Sequence, residues 1–215
     1  MGTDQARDQI LRSIRENLAA SAPLDQMTHD PGSAPPLASA GPRPQAPDLT
    51  TRFTEQLSAV GAQWTLVRGE PEAARALRRL LSDAGARRVA GSDAPLVARL
   101  LPERLTRLTR DELFTCDAGV TTAQWGIAET GTLVLESARE RSRLASLVPP
   151  MHVALLSTSR ICPSLADALA RVDVASHAIT LITGPSRTSD IELTLVVGVH
   201  GPQVVHILLL EEEAQ

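Results

Sequence analysis

The sequence predicts an α/β protein in which helices flank a mainly parallel sheet. Short apolar runs alternate with amphipathic segments through the body of the chain, a pattern typical of βαβ units. Of the 215 residues, 43% are hydrophobic and 21% are charged, which is the balance of a globular domain. A third observation predicts an appendage to that domain, because the composition changes abruptly at residues 21–48.

The N-terminal region is predicted to be a helix on a linker. Within residues 1–20, the segment 4–20 carries apolar residues at helical spacing and charged residues between them. These apolar residues are Ile10, Leu11, Ile14 and Leu18. Residues 21–48 are rich in Pro and Ala, so burial cannot offset their ordering entropy. We therefore expect a tethered helix that docks on the body, on another subunit or on a second copy in a homodimer.

The main domain is expected at residues 49–215, where we interpret amphipathic segments as helices and short apolar runs as strands. In its first half the predicted elements are helix 49–60, strand 64–67, helix 72–82, strand 87–90 and helix 95–101. In its second half they are strands 130–136 and 152–157, helix 164–172, a buried strand at 178–183, helix 190–197 and strand 204–210. This alternation favours parallel pairing.

Composition excludes several chemistries. All 21 positively charged residues are Arg, and the absence of Lys excludes P-loop, kinase and Schiff-base chemistry. The chain also has no Tyr, which excludes catalysis by a tyrosyl hydroxyl. Only four aromatic residues occur, so we expect no nucleic-acid partner. Apolar runs are too short for a membrane span and the N-terminus lacks a signal-peptide core, which predicts a cytoplasmic protein.

The two cysteines, Cys116 and Cys162, lie far apart in the sequence and form no CxxC motif. We therefore expect this chain by itself to hold neither an iron–sulfur cluster nor a cysteine-based zinc site. The simplest interpretation is that both are small buried residues in a reducing compartment.

The most informative motif runs from an apolar segment into Gly184 and Pro185 and on to Ser186, Arg187 and Thr188. Ser189 and Glu192 have the spacing of a capping box, which predicts a helix that starts near Asp190. This loop carries two hydroxyls and a guanidinium. A loop of this kind can bind an anion when it lies between the carboxyl end of a parallel strand and the start of a helix. The alternative is a structural turn whose Arg makes a salt bridge.

A second motif places Glu129 on a turn between small residues, just before the strand at 130–136. Glu129 could act as a base, a nucleophile or a ligand contact, and Gly131 would allow close backbone approach. The alternative is a solvated carboxylate or one that pairs with an Arg.

Two histidines, His152 and His200, each lie beside turn residues. A histidine at such a position can act as a proton shuttle, bind a metal together with Glu129, or have a purely structural role.

These motifs resemble those of the lactate utilization domain (LUD domain) family. The resemblance covers roughly residues 115–210, and one departure is Ser189, where the family usually has Ala. The segments that carry it are Glu129–Thr132, Pro149–His152, Gly184–Glu192 and Gly198–Pro202. The family's signature residues map onto Glu129, Thr130, Gly131, Thr132, Ser186, Arg187, Thr188, Asp190, Glu192 and His200.

The resemblance implies a fold like that of CoA transferases, ribose-phosphate isomerases and formyltetrahydrofolate cyclo-ligase. It also implies a part in the oxidation of L-lactate to pyruvate, as one subunit of a system whose partner subunits carry the iron–sulfur clusters. In that case this chain would hold no metal, and its cleft would bind a small carboxylate or an anionic cofactor.

Three functions therefore stand at this point. In the first, the protein is a lactate-oxidation subunit in which Arg187, Ser186 and Thr188 bind an anion that faces Glu129 as a base. In the second, it is a non-catalytic scaffold or regulatory subunit that docks through the N-terminal helix. In the third, it is a free-standing enzyme that acts on a phosphorylated, CoA or folate substrate, with Glu129 as the candidate nucleophile, which rests on fold analogy alone.

Overall fold

The computed structural model describes much of the main domain and a short part of the N-terminal region. The described residues are 7, 9–13, 15–16, 46–101, 105–106, 112–139, 143–189, 195–197 and 201–211. The chain divides into two compact units, Met1–Pro42 and Arg43–Gln215. In the first unit the described residues 7, 9–13 and 15–16 include helical backbone, and Ile10 is 60% exposed. Over the described ranges, no helix has both the length and the apolar character that a membrane span requires.

The second unit contains four α-helices and twelve β-strands among its described residues. The helices are α1 (Ala46–Ala59), α2 (Gly69–Asp83), α3 (Pro95–Leu100) and α4 (Leu165–Leu169). The first six strands are β1 (Gln63–Arg68), β2 (Val89–Gly91), β3 (Leu105–Thr106), β4 (Ala118–Thr122), β5 (Trp125–Ile127) and β6 (Thr132–Glu136). The others are β7 (Met151–Ser157), β8 (Ile161–Cys162), β9 (Ile179–Ile182), β10 (Arg187–Ser189), β11 (Leu195–Val197) and β12 (Val204–Glu211). Short 3₁₀ helices lie at Glu112–Thr115, Arg143–Ser146 and Thr158–Arg160.

Six strands form a sheet in the order β1-β12-β7-β4-β2-β3, and each neighbouring pair is parallel. The predicted α/β class and the mainly parallel sheet are therefore confirmed. Four further strands form a second sheet in the order β8-β5-β6-β9, in which β6 is antiparallel to both of its neighbours. The strands β10 and β11 pair only with each other, in antiparallel register.

The central strands β4, β7 and β12 of the parallel sheet are buried on both faces, as their apolar residues require. Val153 and Leu155 of β7 pack on one face against α2 and α3. Ala154 and Leu156 of the same strand pack on the other face against α1 and the second sheet. The core thus has three layers, with the parallel sheet in the middle. The second sheet packs its other face against α4.

Helix α1 begins at Ala46, three residues before the predicted start and inside the segment assigned to the linker. The strand predicted at 178–183 is present as β9, but it is not a buried strand. Its side chains Ile179 and Leu181 are 40% and 47% exposed. The reason is its position at the edge of the second sheet, since an apolar run does not reveal whether a strand is central or peripheral.

The helix predicted at 190–197 is wrong. Residues 195–197 form β11, which pairs with β10, and Ser189 is the last residue of β10 rather than a helix cap. The β-branched residues Thr188, Val196 and Val197 favour strand, and pairing between the two segments outweighs the local capping signal. Asp190 and Glu192 lie outside the described residues.

Candidate functional site

A cavity of about 350 Å³ lies beside the loop that follows β9. Its walls come from this loop, from the segment before β7 and from the segment that leads into β12. The lining residues are Ser146, Leu147, Leu181, Ile182, Thr183, Gly184, Ser186, Gly201, Pro202 and Val205. The cavity therefore lies near the amino ends of β7 and β12. The predicted place, at the carboxyl end of a parallel strand and before a helix, is wrong because β9 belongs to the antiparallel part of the second sheet.

Gly184 allows this loop to lie against the end of α1. Its φ is 75°, and a Cβ at this position would lie 2.6 Å from the carbonyl oxygen of Val60. Only glycine accommodates both the left-handed backbone and the close approach. The backbone N–H of the half-buried Ser186 donates a 2.8 Å hydrogen bond to the Pro202 carbonyl, which joins two of the four segments that carry the family resemblance.

Arg187 contacts the helix end rather than an acidic side chain. Its Nη2 donates a 2.7 Å hydrogen bond to the carbonyl oxygen of Val60, just after α1. A cation at this position satisfies a terminal carbonyl and faces the negative end of the helix dipole. The structure therefore shows a structural contact of Arg187, while binding of an anion by this residue stays a prediction.

A chain of three hydroxyls connects the Glu129 turn with the cavity. Thr130 Oγ1 lies 2.7 Å from Thr132 Oγ1, which lies 2.8 Å from Thr183 Oγ1. Thr132 is buried and Thr183 lines the cavity. Sequence reasoning missed Thr183, because its hydroxyl stands at the end of an apolar run with no motif of its own.

Gly131 places this turn directly on α1. Its φ is 64°, and a Cβ at this position would lie 2.7 Å from the backbone atoms of Gln56 and Leu57. The close backbone approach predicted for Gly131 is therefore present, and its partner is a helix of this chain.

Glu129 is exposed and bound to the start of α4. Its Oε1 accepts a 2.9 Å hydrogen bond from the backbone N–H of Leu165, and its own N–H donates to the Pro163 carbonyl at 3.2 Å. A carboxylate at this place satisfies one of the unpaired N–H groups of a helix N-terminus. The catalytic role predicted for Glu129 stays a prediction.

His152 is fully buried in β7. Its Nε2 lies 2.9 Å from Thr121 Oγ1, and Nδ1 has no hydrogen-bond partner among the described residues. Burial lowers the pKa of His152 from 6.5 to about 4, so the imidazole is neutral at pH 7. Its register partner in β12 is Val205, which lines the cavity, so His152 lies in the strand next to the cavity wall.

Some predicted site residues cannot be placed. His200 and Asp190 lie outside the described residues, and Thr188 is described only by its backbone in β10. Within the described part of the chain, no three His, Cys, Asp or Glu side chains come together as a set of metal ligands.

Sequence reasoning also missed the buried carboxylate of Glu136. Its Oε1 accepts a hydrogen bond from Trp125 Nε1 at 2.9 Å, and Oε2 accepts hydrogen bonds from the Asp173 N–H at 2.8 Å and the Ser176 hydroxyl at 3.2 Å. Glu136 thereby holds the segment after α4 against the second sheet. The available signal was a charged residue at the end of the apolar run 133–135.

The fold and the cavity define an α/β protein whose motif segments meet at the amino ends of two central parallel strands. The LUD domain model matches residues 50–210, and the chain belongs to the LUD domain family. The predicted family resemblance is thereby confirmed.

Relatives agree with this assignment. Lactate utilization protein C of Geobacillus thermodenitrificans is 28% identical over 227 residues, which cover 94% of each chain. An uncharacterized protein of Neisseria meningitidis is 42% identical over 113 residues, and lactate utilization protein C of Bacillus licheniformis is 39% identical over 101 residues. The alignments to these two cover 50% and 44% of this chain and 48% and 42% of the relatives, so the chain spans about half the length of each of them.

A solved structure has the same fold. The DUF162 family protein from Deinococcus radiodurans aligns with a TM-score of 0.58 and 22% identity, over 78% of this chain and 99% of that chain. At this identity the likeness concerns the fold alone. The finer likeness to CoA transferases and ribose-phosphate isomerases stays a prediction.

Proposed function

We propose that the protein takes part in lactate utilization as a cytoplasmic subunit that works with iron–sulfur subunits to oxidise L-lactate to pyruvate. The observation that carries the proposal is that two segments of the family motif, Gly184–Ser186 and Gly201–Pro202, line one cavity in a chain of the LUD domain family. The relative from Geobacillus, which aligns along 94% of both chains, is named a lactate utilization protein.

The cavity is the proposed site for the carboxylate. Its volume of about 350 Å³ is at the lower end of the range of small-molecule sites. Ser186 and Thr183 would supply hydroxyl contacts, and Arg187 would supply positive charge from the next position in the loop. A guanidinium has five N–H donors, and Val60 accepts from one of its nitrogens, so Arg187 can hold the helix end and still contact an anion.

Oxidation of lactate releases two protons and two electrons. In this proposal the hydroxyl proton of lactate leaves through the chain of Thr183, Thr132 and Thr130, and Glu129, the sequence neighbour of Thr130, acts as the base. The Cα–H bond breaks in the same oxidation. Its proton and its two electrons would pass to the partner subunits, whose iron–sulfur clusters would take up the electrons.

Calorimetric titration with L-lactate tests the site. We expect saturable heat with the wild-type protein, and at least about tenfold weaker binding for Arg187→Ala and for Thr183→Val, which removes one hydroxyl at nearly constant volume. Arg79→Ala on the exposed side of α2 is the matched control, with unchanged binding expected. Absence of binding to the wild-type protein, or equal binding by all four proteins, would refute the site.

A second function is favoured by one observation in the first unit. Ile10 is 60% exposed on a helical segment, so this apolar side chain is available to a partner. In this alternative the segment docks the protein on an iron–sulfur subunit or on a second copy. Removal of residues 1–42, which leaves α1 complete, should abolish co-purification with the iron–sulfur subunit and leave the melting temperature of the second unit unchanged. Unchanged co-purification would count against it.

A further inference from the structure

The face of the second sheet that packs against α4 carries an indole between two arginines. The register of β5 and β8 pairs Gly126 with Ile161, which brings the preceding residues Trp125 and Arg160 side by side. Arg160 Cζ lies 4.8 Å from the centroid of the Trp125 ring, and Arg171 Cζ lies 5.5 Å from it. Both distances are within the range of cation–π interaction.

These side chains are held in place by other contacts. Trp125 Nε1 donates a 2.9 Å hydrogen bond to the buried carboxylate of Glu136, which orients the indole. Arg171 Nη1 lies 3.4 Å from Cys162 Sγ. The arrangement is therefore organised before any partner arrives, which lowers the entropic cost of binding.

The two guanidinium charges are not neutralised by the described carboxylates. The ion pairs among the described residues involve Arg68 and Arg99, and neither Arg160 nor Arg171 takes part in one. Burial raises the pKa of the Cys162 thiol in spite of Arg171, so Cys162 stays protonated at neutral pH and brings no negative charge.

Two acidic side chains in this region, Glu136 and Asp167, accept hydrogen bonds from other groups. Both oxygens of Glu136 are occupied by Trp125 and by the segment 173–176. Asp167 Oδ2 accepts a 2.7 Å hydrogen bond from the Ser164 hydroxyl. Arg160 and Arg171 are both exposed, so this positive charge faces outward on a chain with a net charge of −4.

Exposed leucines accompany the arginines. Leu165 and Leu169 are 38% and 46% exposed, and their spacing of four residues places them on the same side of α4. Ala168 of the same helix is buried, in a cluster against which Trp125 packs. We name the set of Trp125, Arg160, Arg171, Leu165 and Leu169 the Trp125 surface.

We propose that the Trp125 surface binds an acidic segment of a partner protein that also carries apolar side chains. Tryptophan and arginine are the residue types most enriched at the centres of protein interfaces. Guanidinium groups match the geometry of carboxylates, and exposed leucines match apolar side chains. This inference does not depend on the function proposed above.

Tryptophan fluorescence tests the proposal at the site itself. The chain has two tryptophans, so Trp64→Phe leaves Trp125 as the single reporter. The probes are poly-L-glutamate and a random copolymer of glutamate and leucine. We expect a saturable change of Trp125 emission with both, tighter binding of the copolymer, and weaker binding of both at high salt.

Charge-matched variants separate this surface from general electrostatics. In the Trp64→Phe background, Arg160→Gln with Arg171→Gln should weaken binding by about tenfold or more, and Arg160→Gln alone by less. Arg78→Gln with Arg79→Gln removes the same charge from the exposed side of α2 and should change the affinity by less than about twofold. Circular dichroism confirms that each variant is folded.

Four results would overturn the proposal. The first is no change in Trp125 emission with either polymer. The second is equal affinity in the two charge-matched double variants. The third is competition by inorganic phosphate alone at low concentration, which would indicate a small-anion site. A concentration-dependent emission change without any polymer would indicate a second copy as the occupant, and would also overturn it.

Discussion

Glu136 and His152 are buried polar residues with opposite surroundings. Glu136 is almost fully buried, yet its carboxylate accepts three hydrogen bonds from the indole, a backbone N–H and a hydroxyl. Among the described residues, the Thr121 hydroxyl is the one hydrogen-bond partner of the two ring nitrogens of His152. The three donors offset the cost of burying the Glu136 carboxylate, whereas burial lowers the pKa of His152 and keeps its imidazole neutral at pH 7.

The buried His152 predicts a pH dependence of stability. Burial lowers its pKa from 6.5 to about 4, so between these values the unfolded chain binds a proton at this position and the folded chain does not. Above pH 6.5, His152 therefore does not lower the free energy of unfolding. As the pH decreases to 4, protonation of His152 in the unfolded chain lowers the free energy of unfolding by roughly 3 kcal/mol. Urea unfolding across this pH range should show that the free energy of unfolding changes less with pH in His152→Gln than in the wild-type protein. His206, whose pKa is also lowered by burial, is present in both proteins. Parallel profiles would contradict the expected shift.

A second prediction at the scale of single residues concerns Glu129. Its carboxylate accepts the Leu165 N–H, so Glu129→Ala should destabilise the protein by about 0.5–1 kcal/mol, and Glu129→Gln by less because the amide oxygen can still accept. Urea unfolding measures both changes. A larger loss in Glu129→Gln than in Glu129→Ala would show that this hydrogen bond is not the reason.

At the scale of elements, the β5–β6 hairpin is positioned by its turn. Gly131 brings the turn onto the backbone of α1, and Gly184 brings the loop after β9 onto the end of the same helix. Helix α1 therefore positions both motif segments, although it contains no motif residue itself.

Gly131 and Gly85, which both have left-handed backbone, provide a matched pair. Their φ values are 64° and 63°, but a Cβ on Gly131 would lie 2.7 Å from backbone of α1, whereas a Cβ on Gly85 meets no atom within 4 Å. Gly131→Ala should cost about 2–4 kcal/mol of unfolding free energy, and Gly85→Ala about 1 kcal/mol or less. Equal losses in urea denaturation would show that backbone conformation alone, and not contact with α1, requires Gly131.

The segment 187–197 shows where local patterns fail at this scale. The Ser189 and Glu192 spacing is a genuine helix-start signal, but β10 and β11 pair with each other instead. Short β-branched segments are ambiguous between helix and strand until a pairing partner is available.

At the scale of the whole molecule, the second sheet and α1 together cover one face of the parallel sheet. Phe53 of α1 lies at the centre of this layer and is fully buried. A Cβ on Gly126 of β5 would lie 3.0 Å from its ring, so helix and sheet are closely packed there. Loss of this side chain should therefore affect the entire domain.

Phe53→Ala should destabilise the protein by about 3–5 kcal/mol, because it removes a large buried ring and leaves a cavity. The other phenylalanine, Phe114, is 72% exposed, and Phe114→Ala should change stability by about 0.5 kcal/mol or less. The difference in urea midpoints measures the packing of α1 on the two sheets. A cost for Phe53→Ala as small as that for Phe114→Ala would contradict the three-layer core.

The sequence by itself determined the alternation of helices and strands in the first half of the main domain, the mainly parallel sheet and the apolar strands β7 and β12. These features depend on periodicity and on apolar runs, which are properties of neighbours in the chain. The motif residues also identified the family.

Only the tertiary structure decided what the motif residues contact. Arg187 donates to Val60, a residue 127 positions away, and Glu129 accepts from Leu165, 36 positions away. The cavity likewise combines segments before β7, after β9 and before β12. No local pattern encodes such distant partners, because the packing of α1 and the second sheet on the parallel sheet brings them together.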